Sequence, residues 1–404
     1  MDMQLRYRFR LEPTSSQQQA LARTFGCVRV VWNDALALSQ RLHEQGEKYP
    51  GATALQKLVI TDGKQTAERQ WLSDAYGHAL IQSVRDLDLA YRNWWKSLSG
   101  KRKGPKLRAP RFKKRSSAQS ARFTRCGFRV LDNSKLRISK VGDIKVRWSR
   151  DLPSDPSSCT IINDSAGRYF ASFVVEVDRS PLEPNGNTVG IDLGLTTFAT
   201  LSTGEKIDAP KPLRSALKRL RKLQRNLSRK TKGSNRRNRA RVQVARLHAR
   251  IADTRKDFLD KLSTRIIREN QTVVLEDLRV SGMIRNRKLA RSIADAGWRQ
   301  FRSLLESKAL MYGRTVNVIS TWEPTSQRCS ACGELGGKKP LNIRAWTCLH
   351  CGAEHDRDIN AANNIAAAGQ VEAQNGRGAR RKTGLPAAGC EVSTHQGSKQ
   401  LCLL

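Results

Sequence analysis

Cys329 and Cys332 form one Cys-x2-Cys knuckle and Cys348 and Cys351 a second, with 15 residues between them. Thiolates at that spacing can surround one Zn2+ tetrahedrally. The alternative is four free or redox-active thiols, and the zinc-ribbon spacing of both pairs favours the metal. All four positions are sulfur, so the site is closed and structural; a catalytic zinc keeps one position for water. Such a site can contribute on the order of 10 kcal/mol to folding a small insert with little core. His350 and His355 lie nearby, but four thiolates satisfy the ion without them.

A second chemistry belongs to carboxylates. Asp192 ends the apolar run Thr188-Val189-Gly190-Ile191, Glu276 ends Thr272-Val273-Val274-Leu275, and Asp356 and Asp358 open a helical pattern over residues 358–365. Each alone has a plain structural role: an Asp after a strand caps a turn, and an Asp before a helix is an N-cap, which suits Asp356 well. Their order is also that of a ribonuclease H-like nuclease core: strand, turn, strand, then an acid on a later strand, then an acid on a helix. Two carboxylates 4 Å apart repel by about 4 kcal/mol at an effective dielectric of 20, so a cluster calls for a cation. Hard oxygen ligands select Mg2+ or Mn2+, and two such ions suit phosphodiester cleavage.

The elements around these residues are basic. The 404 residues carry 74 Lys+Arg against 36 Asp+Glu, a formal charge of +38, which points to nucleic acid as partner. No apolar run is long enough to span a membrane, the first ten residues lack the apolar segment of a secretory signal, and nine cysteines with four in knuckles suit a reducing compartment. A cytoplasmic, nucleoid-associated protein is expected. Residues 3–11 alternate, with Met3, Leu5, Tyr7, Phe9 and Leu11 on one face and Arg6, Arg8 and Arg10 on the other, as a strand with one basic face requires; the three arginines read as phosphate contacts or as an ordinary solvated edge. Thr14 and Gln17 have capping-box spacing ahead of a helix carrying Leu21, Phe25, Val28, Trp32 and Leu36. A second helix carries Leu80 through Leu98, with the Trp94–Trp95 pair open to either packing or base stacking.

Residues 100–115 hold nine Lys or Arg and no acid, among them Lys101, Arg102, Lys103 and Lys106, and read as a loop touching a nucleic-acid backbone. Strands resume from about 120 to 178. A lone first strand needs partners, so residues 1–11 and 100–180 are expected to form one β-domain, with helices 12–99 inserted. Residues 211–256 hold 18 Lys or Arg and one acid, Asp253, and read as a helical hairpin with a narrow apolar seam. Arg219, Arg225, Arg229, Arg236 and Arg237 on its surface are candidate phosphate contacts. The tail, 370–404, reads as disordered, with no role for Cys390 or Cys402.

Gly190-Ile191-Asp192-Leu193-Gly194, Val274-Leu275-Glu276-Asp277-Leu278, the run from Pro324 to Gly333, and Cys348-x2-Cys351 leading into Asp356-Arg357-Asp358-Ile359-Asn360-Ala361-Ala362 together resemble the TnpB family. These are transposon-encoded relatives of type V CRISPR effector nucleases. The resemblance covers about residues 188–367; the N-terminal half fits the family's layout with weaker motifs. It implies a multidomain α+β protein. A β-barrel wedge domain (1–11 and 100–180) would hold an inserted helical recognition domain (12–99). A RuvC nuclease core (187–322, completed by 355–369) would hold a zinc ribbon (323–354). It implies RNA-guided cleavage of double-stranded DNA, a guide RNA from the transposon end, and one chain per RNA. Carried over by position, Asp192, Glu276 and Asp358 would be the catalytic, Mg2+-binding acids, with Asp356 the local competitor for the third place. A DNA transposase using the same acids, or a non-cleaving regulator of transposition, are the rival readings.

Overall fold

The computed structural model describes residues 3–340 and 342–375, which divide into two compact units, 3–177 and 178–375.

The first unit opens with β1 (Met3–Glu12), whose alternation buries Leu5, Phe9 and Leu11. Helix α1 (Ser15–Glu44) begins at a reciprocal cap: Gln17 N–H donates to Thr14 Oγ1 and Thr14 N–H to Gln17 Oε1. Then come α2 (Gly51–Gln56) and α3 (Gly77–Leu98). Six strands follow: β2 (Gln119–Thr124), β3 (Phe128–Val130), β4 (Lys135–Ile138), β5 (Gly142–Arg147), β6 (Ser158–Asn163) and β7 (Tyr169–Val177). The sheet order is β2-β6-β7-β1-β5-β4-β3, antiparallel throughout. Its end strands β2 and β3 are joined through Arg125–Gly127, so the sheet curls nearly to closure. No ladder joins β2 to β3 among the described residues, so it stops short of a fully hydrogen-bonded barrel.

The basic loop is only partly free for a ligand. Trp32 is buried, and its Nε1–H donates to Arg111 O; Asn33 and Lys113 exchange side-chain and backbone hydrogen bonds at 3.1 and 2.8 Å. Lys113 Nζ lies 3.8 Å from the Trp32 ring centroid, and burial pushes its pKa down to about 8. Residues 111–113 therefore strap α1, while Lys101, Lys103 and Lys106 are exposed and Arg102 half-buried. Of the Trp pair, Trp95 packs against Tyr49 and Tyr91 with ring centroids at 5.1 and 5.4 Å.

The second unit is built on β8 (Thr188–Leu193), β9 (Ala199–Leu201), β10 (Lys206–Ile207), helices α4 (Pro212–Ser228) and α5 (Asn235–Glu269), and β11 (Thr272–Glu276). It continues with α6 (Val280–Met283), α7 (Ala290–Ala296), α8 (Trp298–Tyr312), β12 (Thr315–Ile319), the hairpin β13 (Ala345–Thr347) and β14 (Glu354–Asp356), and α9 (Arg357–Asn375). The sheet order is β10-β9-β8-β11-β12, with β8, β11 and β12 parallel. Helix α9 runs to Asn375, six residues into the segment expected to be without order; Cys390 and Cys402 lie outside the described residues.

Helices cover both faces of the parallel strands, as their apolar runs require. On one face Val189, Ile191, Val273 and Leu275 pack with Phe198 from the β8–β9 turn and with Leu259, Ile266, Trp298 and Phe301 from the helices. There Lys308 is 1% exposed; its ammonium donates to Asp260 O, Ser263 Oγ and Thr264 Oγ1, pinning α8 to α5. On the other face Val274 and Ile319 pack with Ile365 of α9. The α4–α5 hairpin closes over Leu220, Leu247 and Ile251. Asp295 of α7 caps α4 from outside it, accepting from Leu213 N–H and Arg214 N–H at 3.0–3.1 Å.

Helix α9 approaches β8 so closely that only glycine fits. A Cβ on Gly190 would lie 2.1 Å from Ala362 O and 2.5 Å from Ala366 N, and one on Gly369 would lie 2.4 Å from Val274 Cγ1. Gly190→Ala sets a methyl against helix backbone, which has no rotamer to yield. We expect a loss of about 3 kcal/mol of stability, read by thermal or denaturant unfolding. Gly204→Ala, on an open turn with nothing within 4 Å, should cost less than half of that, about 1 kcal/mol, from its positive φ alone.

Candidate active site

Three strand and helix ends deliver the acids. Leu275 pairs with Ile191 in the parallel β8–β11 ladder, so Asp192 and Glu276 occupy the next positions at the same ends of adjacent strands. Side chains alternate, so both share the face of Gly190 and Val274, which α9 covers. Asp192 lies two residues beyond Gly190, about 7 Å along the strand. Asp358 lies four residues before Ala362, about 6 Å along the helix. The close Gly190–Ala362 contact thus places Asp358 beside Asp192.

The electrostatics register this. Burial, then the charges of Glu276 and Asp358, push the Asp192 pKa from 3.8 up to about 7, against a smaller downward pull from Arg357. Burial also raises the Glu276 pKa, against the Thr325 hydroxyl, which donates to Glu276 Oε1 at 2.6 Å. Asp358 pairs with Arg344 at 3.2 Å.

Asp356 does different work. Its Oδ1 accepts from Asp358 N–H and Ile359 N–H at 3.1 Å, capping α9, and its Oδ2 takes Lys206 Nζ at 2.6 Å. Burial pushes its pKa upward, but Lys206 and the helix N–H groups outweigh this and hold it below the usual value. With both oxygens engaged, Asp356 is a helix cap, and Asp358 is the acid that Asp192 feels.

The four sulfurs of Cys329, Cys332, Cys348 and Cys351 lie within 4.8 Å of one another. Cys329–Cys351 and Cys332–Cys348 are 3.7 and 3.8 Å apart. A tetrahedron with Zn–S bonds of 2.3 Å has edges of roughly 3.8 Å, whereas a disulfide needs about 2.05 Å. The donor set and spacing fit Zn2+. His355, set aside on sequence, places Nε2 3.0 Å from Cys329 Sγ and packs its ring, tilted by 37°, against Trp346 at 4.7 Å.

The expected nucleic-acid contacts divide. Arg8 and Arg10 stand over the Phe170 ring at 3.7 and 5.1 Å, joined there by Arg168 at 5.3 Å; Arg6 lies half-buried on the same strand. Arg219, Arg225, Arg229 and Arg236 are exposed on the helical hairpin. Arg237 turns inward instead, donating to Leu227 O and Lys230 O at the C-terminus of α4, so that guanidinium closes the hairpin. Sequence reasoning missed Thr325, Asn360 and Asn364, whose only signal was a set of polar residues beside apolar ones near the knuckles.

Known families divide the chain in the same order. Residues 1–48 match a family described as a helix-turn-helix domain, 172–287 one described as "Probable transposase" (OrfB_IS605), and 298–365 one described as "Cas12f1-like, TNB domain". Within 3–48 the structure has one strand and one long helix. A Streptomyces pristinaespiralis protein named "Putative RNA-guided DNA endonuclease" is 45% identical over 378 residues, 93% of this chain and 91% of that one. The Escherichia coli K12 protein named "Putative RNA-guided DNA endonuclease InsQ" is 32% identical, over 90% of this chain and 92% of its own.

The chain belongs to the TnpB family.

Its fold resembles the protein in a cryo-EM structure of a Cas12f1–sgRNA–target DNA complex, with a TM-score of 0.51 and 13% identity over 87% of this chain and 82% of that one. No helix among the described residues is long and apolar enough to cross a membrane.

Two outcomes test this geometry. The pKa of Asp192 is raised on folding, so between about pH 4 and 7 the folded metal-free chain holds a proton that the unfolded chain has lost. Its stability therefore falls as pH rises through that window. Asp192→Asn removes the share of the dependence that Asp192 carries and leaves that of Glu276, so it should exceed the metal-free wild type by about 2 kcal/mol at pH 8, the gap closing toward pH 4, in unfolding curves across pH. For the cysteines, metal analysis should find one Zn2+ per chain, and Cys348→Ser should lose the ion and melt β13–β14 before the parallel sheet, seen by hydrogen exchange.

Proposed function

We propose that this TnpB-family chain is a transposon-encoded, RNA-guided DNA endonuclease. The carrying observation is the meeting of Asp192 and Glu276 at adjacent parallel strand ends with Asp358 on the helix across them. Burial is unfavourable for the charged forms of Asp192 and Glu276, and a divalent cation relieves it. The names of its relatives support the reading, as does the Cas12f1-like TNB match over the knuckles.

Asp192, Glu276 and Asp358 would hold Mg2+ or Mn2+, which supplies an activated water and charge stabilisation for the leaving oxygen. The chain's own residues do the rest. Asp192 and Glu276 present oxygens from rigid strand ends, the first turn of α9 brings Asp358, and the capped, Lys206-paired Asp356 anchors that turn. Zn2+ on the four cysteines is structural. The curled sheet would be the wedge domain and α1–α3 the recognition domain. A guide RNA from the transposon end pairs with the target strand; the exposed arginines of α4 and α5 would contact nucleic-acid backbone in the second unit, and Lys101, Lys103 and Lys106 would do so, separately, in the first. The "Probable transposase" description favours one second reading, strand transfer by the same acids.

The test is purification together with the element's native downstream DNA, followed by sequencing of the copurifying RNA and cleavage of matched DNA with Mg2+. One discrete RNA with a constant element-end segment is expected. Asp192→Ala should cut at least about 1,000-fold more slowly with DNA binding within about twofold. Strand-transfer products without RNA would replace this reading with the transposase, and full cleavage by Asp192→Ala would remove the catalytic assignment.

A further inference from the structure

Thr325 is polar, 6% exposed, and sits four residues before the first zinc-knuckle cysteine. Its hydroxyl donates to Glu276 Oε1 at 2.6 Å. Its backbone oxygen is fixed separately, accepting from Asn364 Nδ2 at 2.8 Å. Asn364 and Asn360, one turn apart on α9, are 8% and 1% exposed, and both donate to Arg328 O at 2.8 Å. Asn360 Oδ1 also accepts from Ser330 N–H, inside the first knuckle, at 2.8 Å. Two buried amides on the helix that carries Asp358 thus hold residues 325–330 at both ends. That segment touches Glu276 at one end and the cysteine cluster at the other.

The arrangement has a chemical logic. A hydroxyl on one carboxylate oxygen fixes the rotation of the Glu276 carboxyl group, and Oε2 has no protein partner among the described residues. It also supports the charged form that a cation requires. A glutamate has three rotatable bonds, and without such a donor its head group samples several orientations at the end of a strand.

We propose that Thr325 is a positioning residue for Glu276, held in place by the zinc ribbon through the Asn360–Asn364 clamp, so that ribbon integrity and cation binding at the carboxylates are coupled. This rests on the reading of Asp192, Glu276 and Asp358 as cation ligands. It assigns Thr325 no contact with substrate.

The experiment uses the full chain with its copurified RNA and Mn2+ as probe, with bound Mn2+ read from loss of the free-ion electron paramagnetic resonance signal. Thr325→Val keeps the shape and removes the donor; Thr325→Ser keeps the donor. Thr325→Val should bind Mn2+ about 10-fold more weakly and cut about 10-fold more slowly, with zinc content and target-DNA affinity unchanged. Thr325→Ser should return both to within about threefold of wild type. Combining Cys332→Ser with Thr325→Val should weaken Mn2+ binding by less than the product of the single effects, because both act through one hydroxyl. Wild-type Mn2+ affinity in Thr325→Val, or Thr325→Ser as weak as Thr325→Val, overturns the positioning role. A fully multiplicative double variant overturns the coupling to the ribbon. If the wild type binds Mn2+ and cuts nothing, the endonuclease reading fails, and the Mn2+ titrations still decide the role of Thr325.

Discussion

The contact between α9 and β8 at Gly190 is the constraint from which the second unit takes its form. A helix backbone lying within a Cβ length of a strand requires glycine on the strand and alanines on the helix, and Gly190, Ala362 and Ala366 supply them. That contact fixes both the depth and the register of α9. It turns an acid in the helix's first turn and an acid at the strand's end into neighbours, although they are far apart in the chain. The helix also carries its own anchor in Asp356, whose carboxylate is used up by two backbone N–H groups and a lysine.

The same helix organises the segment that carries the cysteine knuckles. Asn360 and Asn364 face the knuckle segment, while Ile365 on another face of the helix packs against Val274 and Ile319. Helix α9 therefore serves as a spine, with sheet contacts along one stripe and contacts to the knuckle segment along another. Buried amides suit this role: they bond carbonyls that have left regular structure and would otherwise be unsatisfied. The cysteine cluster is then tied to the parallel sheet by side-chain hydrogen bonds as well as by covalent linkage.

The positive charge divides into two kinds. Some cations build the structure: Lys308 is sunk between helices, Lys113 covers Trp32, and Arg237 closes the helical hairpin. Others, such as Arg219, Arg225, Arg229 and Arg236, are exposed on helices with few acids to neutralise them. Composition counts both alike, and only burial and partners separate them. The guanidiniums of Arg8, Arg10 and Arg168 gather over one Phe170 ring, which delocalised, weakly hydrated cations tolerate better than ammonium groups.

Local chemistry made much of this legible in sequence. The capping box at Thr14, the alternation of β1, the return of strands from about 120 to 178, the buried strands ending at Asp192 and Glu276, and the paired knuckles each follow from residue type and short-range spacing, because backbone geometry repeats with a fixed period. The motif order also sufficed to name the family. Long-range partners were not legible. Nothing local to Thr325 says that its hydroxyl meets Glu276, nothing local to Asp295 says that it caps a helix 81 residues earlier in the chain, and Asp356 and Asp358 are indistinguishable until the helix start is set against β8. A hydrogen bond or a charge contact acts over a few ångströms in space and is blind to separation along the chain. Sequence alone therefore determined which elements form and which residue types they carry, while the packing of α9 on the sheet decided which of those residues face one another.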